Sequence, residues 1–310
     1  MFTHIPVMAR EAVHYLACAP GGVYVDGTLG GCGYALEILK ASAPNGVLIG
    51  IDRDIDALKA AEETLRPFKD RVFLAKENFK NLRKVLLSNG LNAADAIVLD
   101  LGVSSHQLDT ARRGFSFRFD ARLDMRMDTS STQTAHDLVN TLGKDELERI
   151  LKNYGEERFA RSIAAAIERA RSFKPIETTS ELARIISSAV PKRFHSKNIH
   201  PATKSFQALR IVVNSELDDL KDGISAATGA LKKGGRLVVV SFHSLEDRIV
   251  KETFREMAST CVCPPRFPQC VCGKTASVKL VTKKAVKPQD DELRANPRAR
   301  SARLRAIEKL

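Results

Sequence analysis

Val23-Tyr24-Val25-Asp26-Gly27-Thr28-Leu29-Gly30-Gly31-Cys32-Gly33-Tyr34-Ala35 begins as a strand, because Val23, Tyr24 and Val25 are β-branched or aromatic. It ends as a helix, because apolar residues recur at helical spacing after Tyr34. Between the two, glycines at 27, 30, 31 and 33 predict a tight loop, since side chains there would keep the backbone from closing around a ligand. Strand, glycine loop and helix make a nucleotide cradle. The spacing departs from the dinucleotide fingerprint: Gly31-Cys32-Gly33-Tyr34-Ala35-Leu36 carries leucine where the third glycine belongs. A pyrophosphate ligand is therefore disfavoured.

Asp52 ends the next strand-like run, Val47-Leu48-Ile49-Gly50-Ile51. In a doubly wound sheet an acid at the tip of the second strand accepts hydrogen bonds from ribose hydroxyls. Asp26, at the tip of the first, is placed to face a cationic ligand. Two acid-tipped strands, a loop without the pyrophosphate glycine and no Walker lysine suggest an adenosine ligand without phosphate, such as S-adenosylmethionine. The competing reading is that both acids only end strands and cap the following helices.

A chain of 310 residues fits one large domain or one domain carrying an insertion. Its net charge of +12 makes a polyanion an expected partner, since lysines and arginines that neutralise phosphates release condensed counterions. No apolar run approaches a membrane span, and residues 1–22 lack the basic start and apolar core of a leader, so the expected location is the cytoplasm. Cys261, Cys263, Cys270 and Cys272 form two Cys-x-Cys pairs. They have four-thiolate zinc potential, but the spacing is tighter than in usual structural sites, and the sequence assigns no metal.

Along the chain, helices are expected over 9–16, 35–40 and 54–65, with a third strand at Val72-Phe73-Leu74. Phe79 follows it, where an adenosine-binding sheet borders the base, and is a candidate either to pack against adenine or to be a core residue. The apolar run Ala96-Ile97-Val98-Leu99 reads as a central parallel strand ending at Asp100, the leading candidate for contact with both cofactor and substrate. From 106 to 205 strand signals give way to helical ones, including 144–151, 157–170 and 180–189, which reads as an inserted substrate-recognition domain. Within it, Arg112-Arg113-Gly114-Phe115-Ser116-Phe117-Arg118 mixes basic and aromatic residues. Pro191 to Lys204 carries Lys192, Arg193, His195, Lys197, His200 and Lys204, and both stretches are candidates to track a nucleic-acid backbone and stack unpaired bases, or are solvated loops. The alternating pattern resumes with a helix over 206–231 and a strand over 236–241, then a helix start in which Ser244 and Asp247 make a box-like cap. His243 is a candidate base or substrate contact, or a histidine tied into local hydrogen bonds. After Cys272 the chain reads as a strongly basic tail.

These residues resemble the bacterial MraW/RsmH family of 16S ribosomal RNA cytosine-N4 methyltransferases over nearly the whole chain. The resemblance rests on His4-Ile5-Pro6-Val7, Asp26 to Gly31, Asp52-Arg53-Asp54, Asp100 to Ser105 with Gln107, Arg113 to Phe117 and Leu123 to Asp128. It continues through Tyr154 to Arg158, His200 to Thr203, Ser241 to Arg248 and Asn296 to Ser301. It implies cofactor contacts at Cys32, Gly33, Tyr34, Asp52, Phe79, Asp100 and Gln107. Apart from the resemblance, Asp100 is the expected catalytic residue, accepting hydrogen bonds from the reacting amine. Cys32 stands where glycine is common and Tyr34 where histidine is common.

The resulting expectation is a class I S-adenosylmethionine-dependent methyltransferase fold, a Rossmann-like doubly wound α/β sheet with an inserted helical domain. Core segments at 1–105 and 206–310 would flank an RNA-recognition insertion at 106–205. The expected substrate is a cytidine N4 in the decoding region of 16S rRNA, within the small ribosomal subunit, with monomer and homodimer both open. A nicotinamide-dependent oxidoreductase is opposed by the missing glycine. A non-catalytic RNA-binding or assembly factor would not need the acid-tipped strands.

Overall fold

The computed structural model describes residues 6–196, 199–264 and 271–310. His4, Ile5, Lys197 and Cys270, singled out above, lie outside the described residues. In chain order, α1 (Ala9–Leu16), β1 (Val23–Asp26), α2 (Gly33–Ala41), β2 (Val47–Asp52), α3 (Ile55–Thr64), β3 (Val72–Lys76), α4 (Leu82–Ser88) and β4 (Ala94–Asp100) alternate as expected. Six helices follow: α5 (Ser105–Asp109), α6 (Ala135–Thr141), α7 (Lys144–Gly155), α8 (Ala160–Arg171), α9 (Thr179–Ala189) and α10 (Thr203–Val213). The chain then completes α11 (Glu216–Ala230), β5 (Leu231–Ser241), α12 (Ser244–Ala258), β6 (Val278–Leu280), α13 (Asp290–Ala295) and β7 (Arg303–Lys309). Two compact units result, one of residues 1–102 with 217–310, the other of residues 103–216.

The first unit is built on a seven-stranded sheet of order β3-β2-β1-β4-β5-β7-β6. The five strands from β3 to β5 run parallel, and β7 is antiparallel to both β5 and β6. This is the strand order of a Rossmann-like methyltransferase sheet. Successive side chains of a strand point to opposite faces, and the core divides accordingly. Tyr24, Leu48, Val98 and Val238 enter one layer with Ile38 and Leu39 of α2. Val25, Ile49, Ile97, Leu99 and Val239 enter the other with Leu220 and Ile224 of α11. Apolar residues at consecutive strand positions are thus the signature of a sheet covered on both faces.

The expected single helix over 206–231 is two helices, broken where Ser215 takes φ +50°. Asn214, at the break, ties the end of α10 to a loop, while its Nδ2 also donates to the Arg210 carbonyl of α10 at 2.9 Å. Its Oδ1 accepts from the Met127 N–H (2.7 Å) and its Nδ2 donates to the Met125 carbonyl (2.8 Å). The expected strand over 236–241 begins earlier, at Leu231, with a register shift between Ala94 and Ala96 on β4. The basic tail is also corrected: it contains β6 and β7, and charges along it are paired. Arg305 donates twice to Asp247, while Glu308 meets both Arg236 and Lys279.

The second unit has its own core, with Leu138, Leu147, Ile163, Ile167, Leu182 and Phe206 all buried. Here the reading of Arg112 to Arg118 as an RNA-tracking loop needs correction. The Arg113 guanidinium is buried and donates to the Arg126 and Met127 carbonyls at 3.0 and 2.9 Å. Phe115 is buried, and Phe117 packs on Phe206 and His200. Only Arg112 and Arg118 in this stretch are exposed.

Candidate active site

The carboxyl ends of β1, β4 and β5 lie side by side, Asp26 opposite Val98 and Asp100 opposite Val240. Two carboxyl oxygens at these ends, Asp26 Oδ2 and Asp100 Oδ1, are buried without a hydrogen-bond partner. Such atoms are costly unless a ligand completes them.

The glycine loop is tied to the strand tips by its own backbone. Gly27 N–H donates to the Val98 carbonyl and Leu29 N–H to the Ile51 carbonyl, both at 3.0 Å. Thr28 Oγ1 accepts the Asp100 N–H at 2.6 Å, which fixes the end of β4 against the loop. The close approach leaves no room at Gly27, where an added Cβ would sit 2.5 Å from Leu99 Cδ2. Asp52 steadies the far side: Oδ2 accepts from Gly30 N–H and Oδ1 from Asp54 N–H, each at 2.8 Å. Each carboxylate oxygen keeps a second lone pair for a further donor.

Cys32 caps α2 in the left-handed region at φ +63°, which explains why glycine is at home there. Its N–H is taken by the Leu29 carbonyl (2.7 Å), and burial with the nearby Asp26 and Asp52 pushes its thiol up to about 12. Gly33 follows, with Pro6 filling the place of a Cβ at 2.5 Å. The buried Tyr34 hydroxyl donates to the Val7 carbonyl, so this side chain binds the N-terminal segment. Phe79 is buried with its ring against Gly223, where a Cβ would meet the ring at 2.2 Å. Sequence reasoning misses the residue that holds this loop. Asp219 on α11, only 4% exposed, accepts from Asn78 Nδ2 at 2.6 Å and Lys80 Nζ at 2.7 Å, on both sides of Phe79. An acid in a mixed run such as Leu217-Asp218-Asp219-Leu220 reads as solvated surface until the fold places it.

His243 is tied into local hydrogen bonds. It is the N-cap of α12 in a reciprocal box with Glu246, one position before the expected Ser244 and Asp247 pair. Nδ1 accepts the Glu246 N–H at 3.3 Å, which requires the neutral ring to carry its proton on Nε2. Nε2 lies 3.1 Å from Glu246 Oε1, and Glu246 also accepts the Phe242 and His243 amides. A histidine so arranged presents a donor rather than a base. Gln107 belongs to the second unit, where it forms the capping box of α5 with Ser104.

The three carboxyl groups at the strand tips are shifted upward. Burial pushes Asp26 up to about 7, with the Thr28 amide opposing and the Asp52 charge adding. Burial, then the charges of Asp26 and Glu246, hold Asp100 well above the carboxylate range, with the Tyr34 hydroxyl opposing. Asp52 is raised by burial against the Asp54 and Gly30 amides. For a carboxyl raised on folding, the native state holds a proton that the unfolded chain has lost between the ordinary value near 4 and the raised one. Stability is therefore lost as pH rises through this window, and the penalty is complete above the raised value. Urea unfolding of the ligand-free chain is expected to show higher stability at pH 5.5 than at pH 8, with a smaller difference in Asp26→Asn. Equal slopes in both proteins would contradict the assignment to Asp26.

The sequence pattern of the MraW methylase family matches residues 1–310. The chain belongs to this family. Its relatives include the ribosomal RNA small subunit methyltransferases H of Geotalea uraniireducens, 56% identical over 309 residues, and Geobacter sulfurreducens, 54% identical over 309 residues. Both alignments cover 100% of this chain and 99% of the relative. A solved rRNA methylase from Clostridium thermocellum overlays on the full length of both chains with a TM-score of 0.46 and 14% identity. As a MraW-family methyltransferase the protein uses S-adenosylmethionine, and the residues present fit that cofactor. It carries a sulfonium and an ammonium, and the site offers buried carboxyl groups whose free oxygens lack a hydrogen-bond donor.

Proposed function

We propose that this chain methylates the exocyclic N4 of a cytidine in 16S rRNA of the small ribosomal subunit. The single observation that carries the reading is the pair of buried carboxyl groups, Asp26 and Asp100, each with an unpartnered oxygen at adjacent strand tips. A cation beside them returns the free energy lost in burying their charge. When bound, S-adenosylmethionine supplies an electrophilic methyl group. Asp26 faces its cationic portion, Asp52 accepts from its ribose hydroxyls, and Phe79 forms a wall beside its adenine. The backbone at Cys32, Gly33 and Tyr34 lines the loop side.

The N4 amine is a weak nucleophile because its lone pair is delocalised into the pyrimidine ring. Asp100 accepts a hydrogen bond from that amine, holding it in line and favouring a pyramidal nitrogen, and the surplus proton leaves after transfer. The target base leaves its stack to be reached, so an unpaired or distorted segment is the substrate. Support for the RNA comes from the net charge of +12 and from a surface of the second unit. There Arg158 and Arg193 lie 4.7 and 5.0 Å from the ring centroid of the exposed Phe194. Guanidinium on an exposed aromatic ring suits stacked bases and phosphates alike. The insertion at 106–205 is accordingly the RNA-recognition domain.

Labelled S-adenosylmethionine, purified protein and small subunits from cells lacking this gene test the proposal through nucleoside analysis. Label is expected in N4-methylated cytidine. Label in another nucleoside would keep the methyltransferase and overturn the target.

A further inference from the structure

The segment joining α12 to β6 is closed at its base, yet none of its described residues between 259 and 277 is buried. Ser277 N–H donates to the Met257 carbonyl at 2.9 Å, and Lys274 Nζ donates to the Glu256 carbonyl at 2.6 Å. Even the apolar Val262 and Val271 are 60% and 72% exposed. A loop of this length whose described apolar side chains face solvent has to offset its closure entropy by some other means.

Three cysteines converge there. The Sγ atoms of Cys261, Cys263 and Cys272 all lie within 4.8 Å of one another, and Cys261 and Cys272 are 3.9 Å apart. That distance is far beyond a disulfide bond of about 2 Å. It matches the sulfur-to-sulfur edge of about 3.8 Å that a tetrahedron gives for metal–sulfur bonds near 2.3 Å. The backbone is arranged for charged sulfur as well. Val262 N–H points at Cys272 Sγ (3.5 Å) and Cys263 N–H at Cys261 Sγ (3.3 Å), donors that stabilise thiolates.

We propose that Cys261, Cys263 and Cys272 bind a zinc ion that staples this loop. Three soft thiolates this close together select zinc among divalent ions of no redox activity. Each thiol releases its proton to solvent as its sulfur joins the metal, so three protons leave for one ion bound. The site lies in the loop before β6 and takes no part in the strand tips that hold the cofactor.

Elemental analysis of the full chain, purified without chelator under reducing conditions, tests this directly. One zinc per chain is expected, lost in Cys261→Ser and in Cys272→Ser and kept in Cys18→Ser. Cobalt(II) added to chelator-stripped protein is expected to produce a thiolate-to-cobalt charge-transfer band, absent in the same two variants. Circular dichroism and S-adenosylmethionine binding distinguish loss of the ion from loss of the fold. Limited proteolysis gives an independent reading, since chelation should open cleavage between 259 and 277 in the wild-type chain. No retained zinc together with no cobalt band would overturn the proposal. So would iron in place of zinc, a Cys261–Cys272 disulfide in the native mass, or zinc kept by both serine variants.

Discussion

Asp100→Asn is expected to lower turnover on small-subunit RNA by about 10²-fold or more while leaving the ligand-free protein folded and somewhat more stable at pH 8. The two effects have one cause. The Asp100 carboxyl is held well above its ordinary range by burial and by the charges of Asp26 and Glu246. As pH rises above the ordinary carboxyl value near 4, this raised group costs the native state stability, and the neutral amide, of nearly the same shape, removes that cost. The contact from Asp100 N–H to Thr28 Oγ1 is a backbone contact and survives the change. What the amide cannot provide is a charged acceptor for the N4 amine. Single-turnover rates with bound RNA, alongside urea midpoints, separate chemistry from folding. Unchanged rates in a stably folded variant would remove Asp100 from the reaction.

The first four strands and the acids at the tips of three of them could be derived from sequence because both faces of the sheet are covered. Consecutive apolar pairs such as Tyr24 and Val25, or Val98 and Leu99, admit few other placements. The end of the sheet was hidden for the opposite reason. In β7 the buried Leu304, Ala306 and Ile307 are interleaved with Arg303, Arg305 and Glu308, so the run resembles a solvated basic tail. Its charges meet partners distant in sequence, Asp247 for Arg305 and Arg236 with Lys279 for Glu308. Within the site, Asp26, Asp52 and Asp100 were visible because each ends a strand. Thr28, Asp219 and Glu246 were not, because they act through hydrogen bonds to backbone or to a neighbouring side chain, and their spacing carries no period. The tautomer of His243 likewise depends on a single contact to the Glu246 amide.

Gly114→Ala is expected to destabilise the second unit by about 3 kcal/mol or more. Gly114 has φ +67°, and an added Cβ would sit 2.3 Å from the Arg122 carbonyl oxygen and 2.7 Å from the Asp124 nitrogen. Both obstacles are backbone, so no rotamer change relieves them. The chain around them has little freedom to yield. Met125 N–H donates to the Arg113 carbonyl at 3.0 Å, Arg113 holds the Arg126 and Met127 carbonyls, and Asn214 holds Met125 and Met127. Shifting Arg122 would therefore break a buried set of hydrogen bonds that joins residues 113, 125–127 and 214. Gly229→Ala supplies the contrast: it lies in α11, a Cβ there meets nothing within 4 Å, and helix propensity predicts a gain of about 0.5–1 kcal/mol. Urea unfolding of both variants, with hydrogen exchange read at residues 113–128, measures the difference. A Gly114→Ala protein as stable as the wild type, with the same protection at 113–128, would mean that this loop is free to move, and the rigidity argued for it would be wrong.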